Sequence, residues 1–336
     1  MKAVSVWMSF LGVVSLLGGA RAQGQITATA AASVVVQTVS IPNSKTEAQI
    51  DWTNQRIEVT SYGLPKAGID HPGQKRLTAR EAALAIAYRD IAAVVAGVQV
   101  NSVVTVQDCM LQSATIRTEI NAFIKGARPV KEEWNKDDEI YTVVMVLGLA
   151  AEEGASIQSI VAPELPKVQE QLRQEQPQRF EEPKPEVPAQ PVAPPEAIPA
   201  RKPGPYTGLI IDLRSYEARP CMSPKVVRQD GSEVWGTMKT VGQEFTNSTG
   251  IVGWLPDLRF SLKHERAGAN PLIIRTIGVQ GNYKANAVVS DADANLIRQA
   301  NQESAERFLE NCRVIFVVES PYKLRDMRDA AARGEL

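Results

Sequence analysis

The chain has 336 residues, a net charge of −1, 44% hydrophobic and 22% charged residues, 21 prolines and 3 cysteines. That length suits about two domains of ordinary size. Near-neutral charge excludes a protein that works mainly by attraction to nucleic-acid phosphates or an acidic membrane surface. Globular apolar content excludes whole-chain disorder and a polytopic membrane protein.

In chain order, Lys2 precedes an apolar run from Ala3 to Gly19, and Ala20-Arg21-Ala22 follows it. One positive charge, a short hydrophobic run and small residues at the end read as a secretory signal peptide, residues 1–22, cleaved between Ala22 and Gln23. Nothing at Gln23 can take a lipid, and no transmembrane span is expected after cleavage. The product is periplasmic or secreted, with peripheral attachment to an outer membrane open to it.

The first unit, residues 23–162, reads as α+β. Ala48–Thr53 and Arg56–Tyr62 make a hairpin, with Ile57 and Val59 alternating against Glu58 and Thr60. Lys75–Ala96 is the clearest helix. Leu77, Leu84, Ile91 and Val98 recur every seven residues, joined by Ala87, Tyr88, Val94 and Val95. Thr78 has capping-box spacing to Glu81, and Gly97 suits the stop. Val98–Val106 reads as a strand, Met110–Phe123 as a short helix leading into a strand, and Ala127–Trp134 with Ile140–Leu147 as a second hairpin.

Twelve of the prolines fall between Pro163 and Pro205. Residues 163–205 therefore read as a disordered, extended linker with a reach on the order of 130 Å at about 3.1 Å per residue. Beyond it, residues 206–336 form a second α+β unit. Thr207–Leu213 and Leu272–Gly278 are apolar strands, and Lys225–Arg228 with Glu233–Trp235 flank a turn at Asp230-Gly231. Ser290 caps a helix over Asp291–Glu310, and Arg313–Val318 is a closing strand. The fold class is two separate α+β domains, each a small sheet packed by a long helix.

The chemistry is sparse. His71 and His264 stand one in each unit without a nucleophile elbow or a neighbouring cysteine, and read as surface residues. No zinc or EF-hand spacing occurs. Asp137-Asp138-Glu139, Glu152-Glu153 and Glu181-Glu182 read as solvated, while Asp291 and Asp293 favour a helix start. Gly278 and Gly281 lack the Lys-Ser/Thr of a phosphate loop. Arg275 and Lys284 beside Tyr283 make a poor nucleic-acid patch, so no nucleic-acid partner is expected. Asn247-Ser248-Thr249 matches a glycosylation acceptor. Export permits disulfides. Cys221 with Cys312 is the one pair within a unit that could bridge, while the plainer reading is three free thiols, Cys109 included, behaving as small apolar residues.

Ile57-Glu58-Val59-Thr60-Ser61-Tyr62-Gly63, Ala79 through Arg89 and Gly97-Val98-Gln99-Val100 carry a resemblance, continued by Ile124-Lys125-Gly126-Ala127-Arg128 and the hairpin through Tyr141. Over about residues 50–149 the chain resembles the small bacterial outer-membrane lipoproteins that share a domain type with the N-terminal part of flagellar assembly protein T. The resemblance implies an envelope protein acting by protein–protein contact and brings no catalytic residues. The lipoproteins' cysteine after the leader is Gln23 here.

No catalytic, cofactor-binding or metal-binding set emerges, so no cofactor is expected. The expected role is a non-enzymatic envelope adaptor or structural protein, with envelope proteins and self-association as its contacts, and an outer-membrane or flagellum-related assembly as its setting. Two alternatives use the second unit. One is a cell-wall-directed enzyme with Asp212, Glu217 and Asp257 as its acids. The other is a glycan-binding module using Tyr206, Trp235, Trp254 and Tyr283, although aromatics of this kind more often serve the core.

Overall fold

Alternation of apolar and polar side chains builds the first sheet. In the computed structural model, which describes residues 34–42, 44–149, 156–180, 185, 187, 198–236 and 250–319, five antiparallel strands lie side by side. They are β1 (Val36–Val39), β2 (Glu47–Asp51), β3 (Arg56–Gly63), β4 (Arg128–Asn135) and β5 (Ile140–Gly148), in the order β1-β2-β3-β5-β4. β3 pairs with β5 along its whole length, from Arg56 opposite Gly148 to Gly63 opposite Tyr141. Ile57, Val59, Tyr141, Val143, Met145 and Leu147 are buried on the inner face, where helix α1 (Pro72–Gly97) covers them.

Helix α1 opens with proline in its first turn and stops at Gly97, as such residues favour. Its buried line runs through Ala79, Ala83, Ala87, Ile91 and Val94. The expected stripe is thus corrected at two positions: Leu77 is 54% and Tyr88 38% exposed. Alanine wins because the helix lies almost on the strand backbone. A Cβ at Gly63 would fall 2.1 Å from the Ala79 carbonyl oxygen, and Ser61 Oγ donates to the Ala83 carbonyl at 2.9 Å. Thr78 caps nothing: it lies inside α1, and its hydroxyl donates to the Gln74 carbonyl at 2.9 Å.

Val98–Val106 is not a strand. It is a loop closed by one bridge between Gln99 and Thr105, with Asn101 Oδ1 accepting from the Val103 and Val104 amides. Such side-chain turns compete with a ladder. Two helices follow, α2 (Val106–Gln112) and α3 (Ala114–Ile124), capped by Thr105 and Ser113.

The expected extended linker is helical in its first part. After α4 (Ile157–Val161) come α5 (Leu165–Glu175) and α6 (Pro177–Phe180). Leu165, Val168 and Leu172 repeat at helical spacing and are buried in the core of the first unit. Pro166 lies in the first turn of α5 and Pro177 opens α6, where proline starts a helix instead of breaking it. Arg179 fastens the end, donating to both Asp108 carboxylate oxygens at 2.9 and 2.6 Å and to the Val103 carbonyl at 2.8 Å.

The second unit contains two sheets rather than one, so the coarse α+β class stands while its detail changes. β6 (Gly208–Asp212), β9 (Gly253–Leu255), β10 (Pro271–Arg275) and β13 (Val314–Val317) form a parallel sheet in the order β10-β6-β13-β9. β7 (Val226–Val227), β8 (Glu233–Trp235), β11 (Gly278–Gln280) and β12 (Asn286–Val288) form a mixed one in the order β11-β12-β7-β8. Every residue of β6 and β13 is buried, as in parallel sheets covered on both faces. Ile210, Ile273, Ile315 and Val317 face a small second core with Leu258 of α7 (Leu258–Ser261). Helix α8 spans Asp291–Glu303 and stops at Ser304, short of the expected Glu310.

The two units are not held apart by a spacer. Their buried residues form one continuous core. The Met222 and Ser223 amides donate to the Gln99 and Val100 carbonyls at 3.0 and 2.9 Å. Thr53 Oγ1 donates to the Trp254 carbonyl at 2.8 Å, and Asn286 Nδ2 to Ser102 Oγ at 3.2 Å. Composition marks where a chain is proline-rich but carries no information about contacts between residues some 200 positions apart. The Ala22–Gln23 site, Glu152-Glu153, Glu181-Glu182, Asn247-Ser248-Thr249 and the tail from Tyr322 lie outside the described residues.

Candidate functional site

Three acids were singled out by position, and the parallel sheet places two of them on one edge. Asp212 ends β6 and Asp257 follows β9, with β13 between, two strand spacings apart across the sheet. This carboxyl edge is where open parallel sheets usually hold ligands. Both carboxylates are already engaged. Asp212 is buried; its Oδ1 accepts from Arg214 Nε at 2.9 Å and its Oδ2 from Arg214 Nη2 at 3.1 Å, with Arg275 Nη2 3.5 Å away. Thr276 donates its amide and hydroxyl to the Asp212 carbonyl. Asp257 caps α7, accepting from the Arg259 amide at 2.6 Å. Burial pushes its carboxyl up, but the bonds from Arg259 outweigh this and hold it below the usual range. A general acid needs the opposite shift. Glu217 is exposed in the loop after β6.

Two of the four aromatic candidates are core. Trp235 and Trp254 are 2% and 1% exposed, and their ring N–H groups donate at 2.9 Å to the Leu309 and Cys221 carbonyls. Trp254 also meets Phe316 edge to face at 5.2 Å. Neither can offer a face to a sugar, which corrects the glycan-binding alternative at both. Tyr206 and Tyr283 are half-buried.

The remaining candidates have local duties. His71 is exposed and precedes α1. His264 Nδ1 accepts from the Arg266 amide at 3.1 Å; burial, then the Arg266 charge, pushes its pKa down. Ser290 and Asp293 cap α8, while Asp291 and Asp293 pair with Arg228 and Arg201, each at 2.9 Å. Glu139 takes a bond from Lys75 at 2.6 Å. Cys109, Cys221 and Cys312 are free and buried, so the Cys221–Cys312 disulfide is not formed. Cys221 is fixed beside Trp254 through its carbonyl, whereas Cys312 lies in the turn before β13 with its carbonyl bonded to Arg266. Among the described residues no cluster of His, Cys, Asp and Glu could hold a metal, and no helix is long and apolar enough to cross a membrane.

Two of the cavities among the described residues lack a matching set of reactive groups. One, of about 20 Å³ at the seam between the units, is lined by Trp52, Gln158, Cys221 and Trp254. It has room for about one water, and the buried Gln158 Nε2 there has no protein partner. The other, about 180 Å³, is lined by Leu262, Pro271 and Ile273 together with Lys202.

The feature that sequence reasoning missed is a surface. α1 covers the inner face of the first sheet. On the outer face Ile140, Thr142, Val144 and Val146 of β5 form a half-buried row beside Thr60 and the exposed Tyr62 of β3. Edge strand β4 is exposed at every residue but Trp134, which is half-buried. The alternating pattern of β5 signals this outer row; the full exposure of β4 follows from its place at the end of the strand order.

These features define a two-unit α+β protein with a helix-backed antiparallel sheet locked against a unit built on a parallel sheet. Residues 208–320 match the family model described as Treponema pallidum Tp0624, second domain, which spans the second unit from β6 past β13. No curated protein matches the chain.

Proposed function

We propose that this is an exported bacterial cell-envelope protein that acts by protein–protein contact, as an adaptor or structural component, and not by catalysis. The observation that carries the reading is the outer face of the first sheet, with its row Ile140, Thr142, Val144 and Val146 beside the exposed strand β4. Exposed apolar rows with polar margins are how soluble proteins present contact surfaces. The engagement of Asp212 by Arg214 and of Asp257 by its helix supports a non-enzymatic reading. The leader ending at Ala22, the resemblance of residues 50–149 to envelope lipoproteins and the match to a Treponema pallidum domain support the bacterial envelope setting. The tethered arrangement expected from the prolines gives way to a single body: the shared core makes the two units present their surfaces in fixed relation.

The test is site-specific photo-crosslinking of the full-length chain in cells from Val144, Val146 and Val130. Adducts to protein from these positions, absent from the buried control Val143, are expected. Absence of adducts from all three overturns the reading, as does cell-wall hydrolysis that is lost in Asp257→Asn.

A further inference from the structure

We propose that β4 pairs with β4 of a second copy of this chain, antiparallel and centred on Glu132, joining two five-stranded sheets edge to edge. The proposal rests on the contact reading above and names one partner for that surface. β4 is bonded to β5 along one side only, being last in the strand order, and its residues from Arg128 to Glu133 are exposed. Such an edge is a template for another strand.

The sequence of the strand selects which one. Antiparallel pairing about Glu132 sets Lys131 of each copy opposite Glu133 of the other. Lys131 and Glu133 lie on the same face, opposite Val144 and Thr142 of β5. They form a 3.1 Å ion pair within the chain, with side chains 68% and 64% exposed, and self-pairing extends it to four alternating charges. Opposite charges across a strand pair stabilise it and like charges oppose it. Val130, 64% exposed, lies at the ladder irregularity beside that pairing.

The central position would bring two Glu132 residues together, and the fold has removed that obstacle. On the inner face Arg80 of α1 donates to both Glu132 carboxylate oxygens at 2.5 and 2.9 Å, and the Tyr141 hydroxyl donates at 2.9 Å. Lysine and the ladder irregularity between Pro129 and Lys131 are devices that keep foreign strands off an edge. Here the same charges repel a generic strand and admit an identical one. The irregularity confines the regular ladder to a few residues, so the dimer is weak and concentration-dependent.

The experiment is sedimentation equilibrium of the full-length chain and two charge variants, with thermal melts to confirm that each is folded. Lys131→Glu and Glu133→Lys should each weaken self-association at least about tenfold. Mixed together, the two variants put opposite charges across both pairs and should associate within about threefold of the natural chain. A natural chain that stays monomeric, or a Lys131→Glu variant that dimerises unchanged, overturns the proposal. A crosslinker at Val130 separates the two readings. An adduct to a second copy supports edge pairing, whereas an adduct to a different protein overturns it and leaves the contact reading standing. Silence at Val130, Val144 and Val146 removes both.

Discussion

Gly281 and Ser102 meet across the seam at backbone range: a Cβ on Gly281 would lie 2.5 Å from Ser102 Cβ, and Gly281 has φ +91°. Only glycine takes that conformation and that approach without strain. Asn286, five residues on, donates to Ser102 Oγ, so this contact belongs to the fastening between the units.

Gly281→Ala should therefore lower stability by about 1–3 kcal/mol, through strain and displacement of Ser102. Because the core is continuous, thermal unfolding should remain one cooperative transition shifted to lower temperature. Two resolved transitions in the unaltered chain, one per unit, would contradict the shared core.

Asp212 and Arg214 form a pair that is buried on both sides. Removing one partner of such a pair strands the other charge, a loss of about 3–5 kcal/mol. Asp212→Ala should show it as a reduced midpoint in urea, with Asp212→Asn less affected because it keeps an acceptor for the Arg214 amide. If Asp212→Ala has the stability of the unaltered chain, the edge is not the closed ion pair described.

Acid should release the helical annex of the first unit. Burial pushes the Asp108 carboxyl up, but the bonds from Arg179 and Thr105 more than reverse it, so its folded pKa lies below the usual value. A carboxyl with a depressed folded pKa contributes stability above its ordinary pKa of about 3.9, lost as pH falls through the folded value. Protection from hydrogen exchange across Leu165–Phe180, relative to the intrinsic rate at each pH, should fall below about pH 4, before global unfolding. Asp108→Asn should make that region exchange fast already at neutral pH.

Both hairpins of the first unit, the course of α1 and the Asp230-Gly231 turn were legible because each rests on local period or turn chemistry. The alanine face of α1 was not, since a heptad of larger residues competes with it and only the proximity of Gly63 decides between them. A high proline content masks the α5 helix, although Leu165, Val168 and Leu172 keep helical spacing and Pro166 falls in its first turn. Neither the approach of Arg275 to Asp212 nor the bond from Arg80 to Glu132 could be read, because each arginine comes from a distant segment. The self-complementary run Lys131-Glu132-Glu133 was visible, but its meaning depends on β4 being an edge.

The thiols give the sharpest check on the core of the second unit. Burial pushes Cys312 up to about 11 and Cys109 up to about 12, and raises the fully enclosed Cys221 as well. At pH 8 the reactive thiolate of a group at about 11 is on the order of one in a thousand. The folded, unreduced protein should be nearly inert to a thiol-specific disulfide reagent over minutes, and all 3 cysteines should react once it is denatured. A denatured, unreduced chain that titrates as one thiol would mean that Cys221 and Cys312 are bridged. The region between Trp254 and the turn before β13 would then have to be rearranged, because those two residues are held in separate surroundings by the Trp254 and Arg266 bonds to their carbonyls.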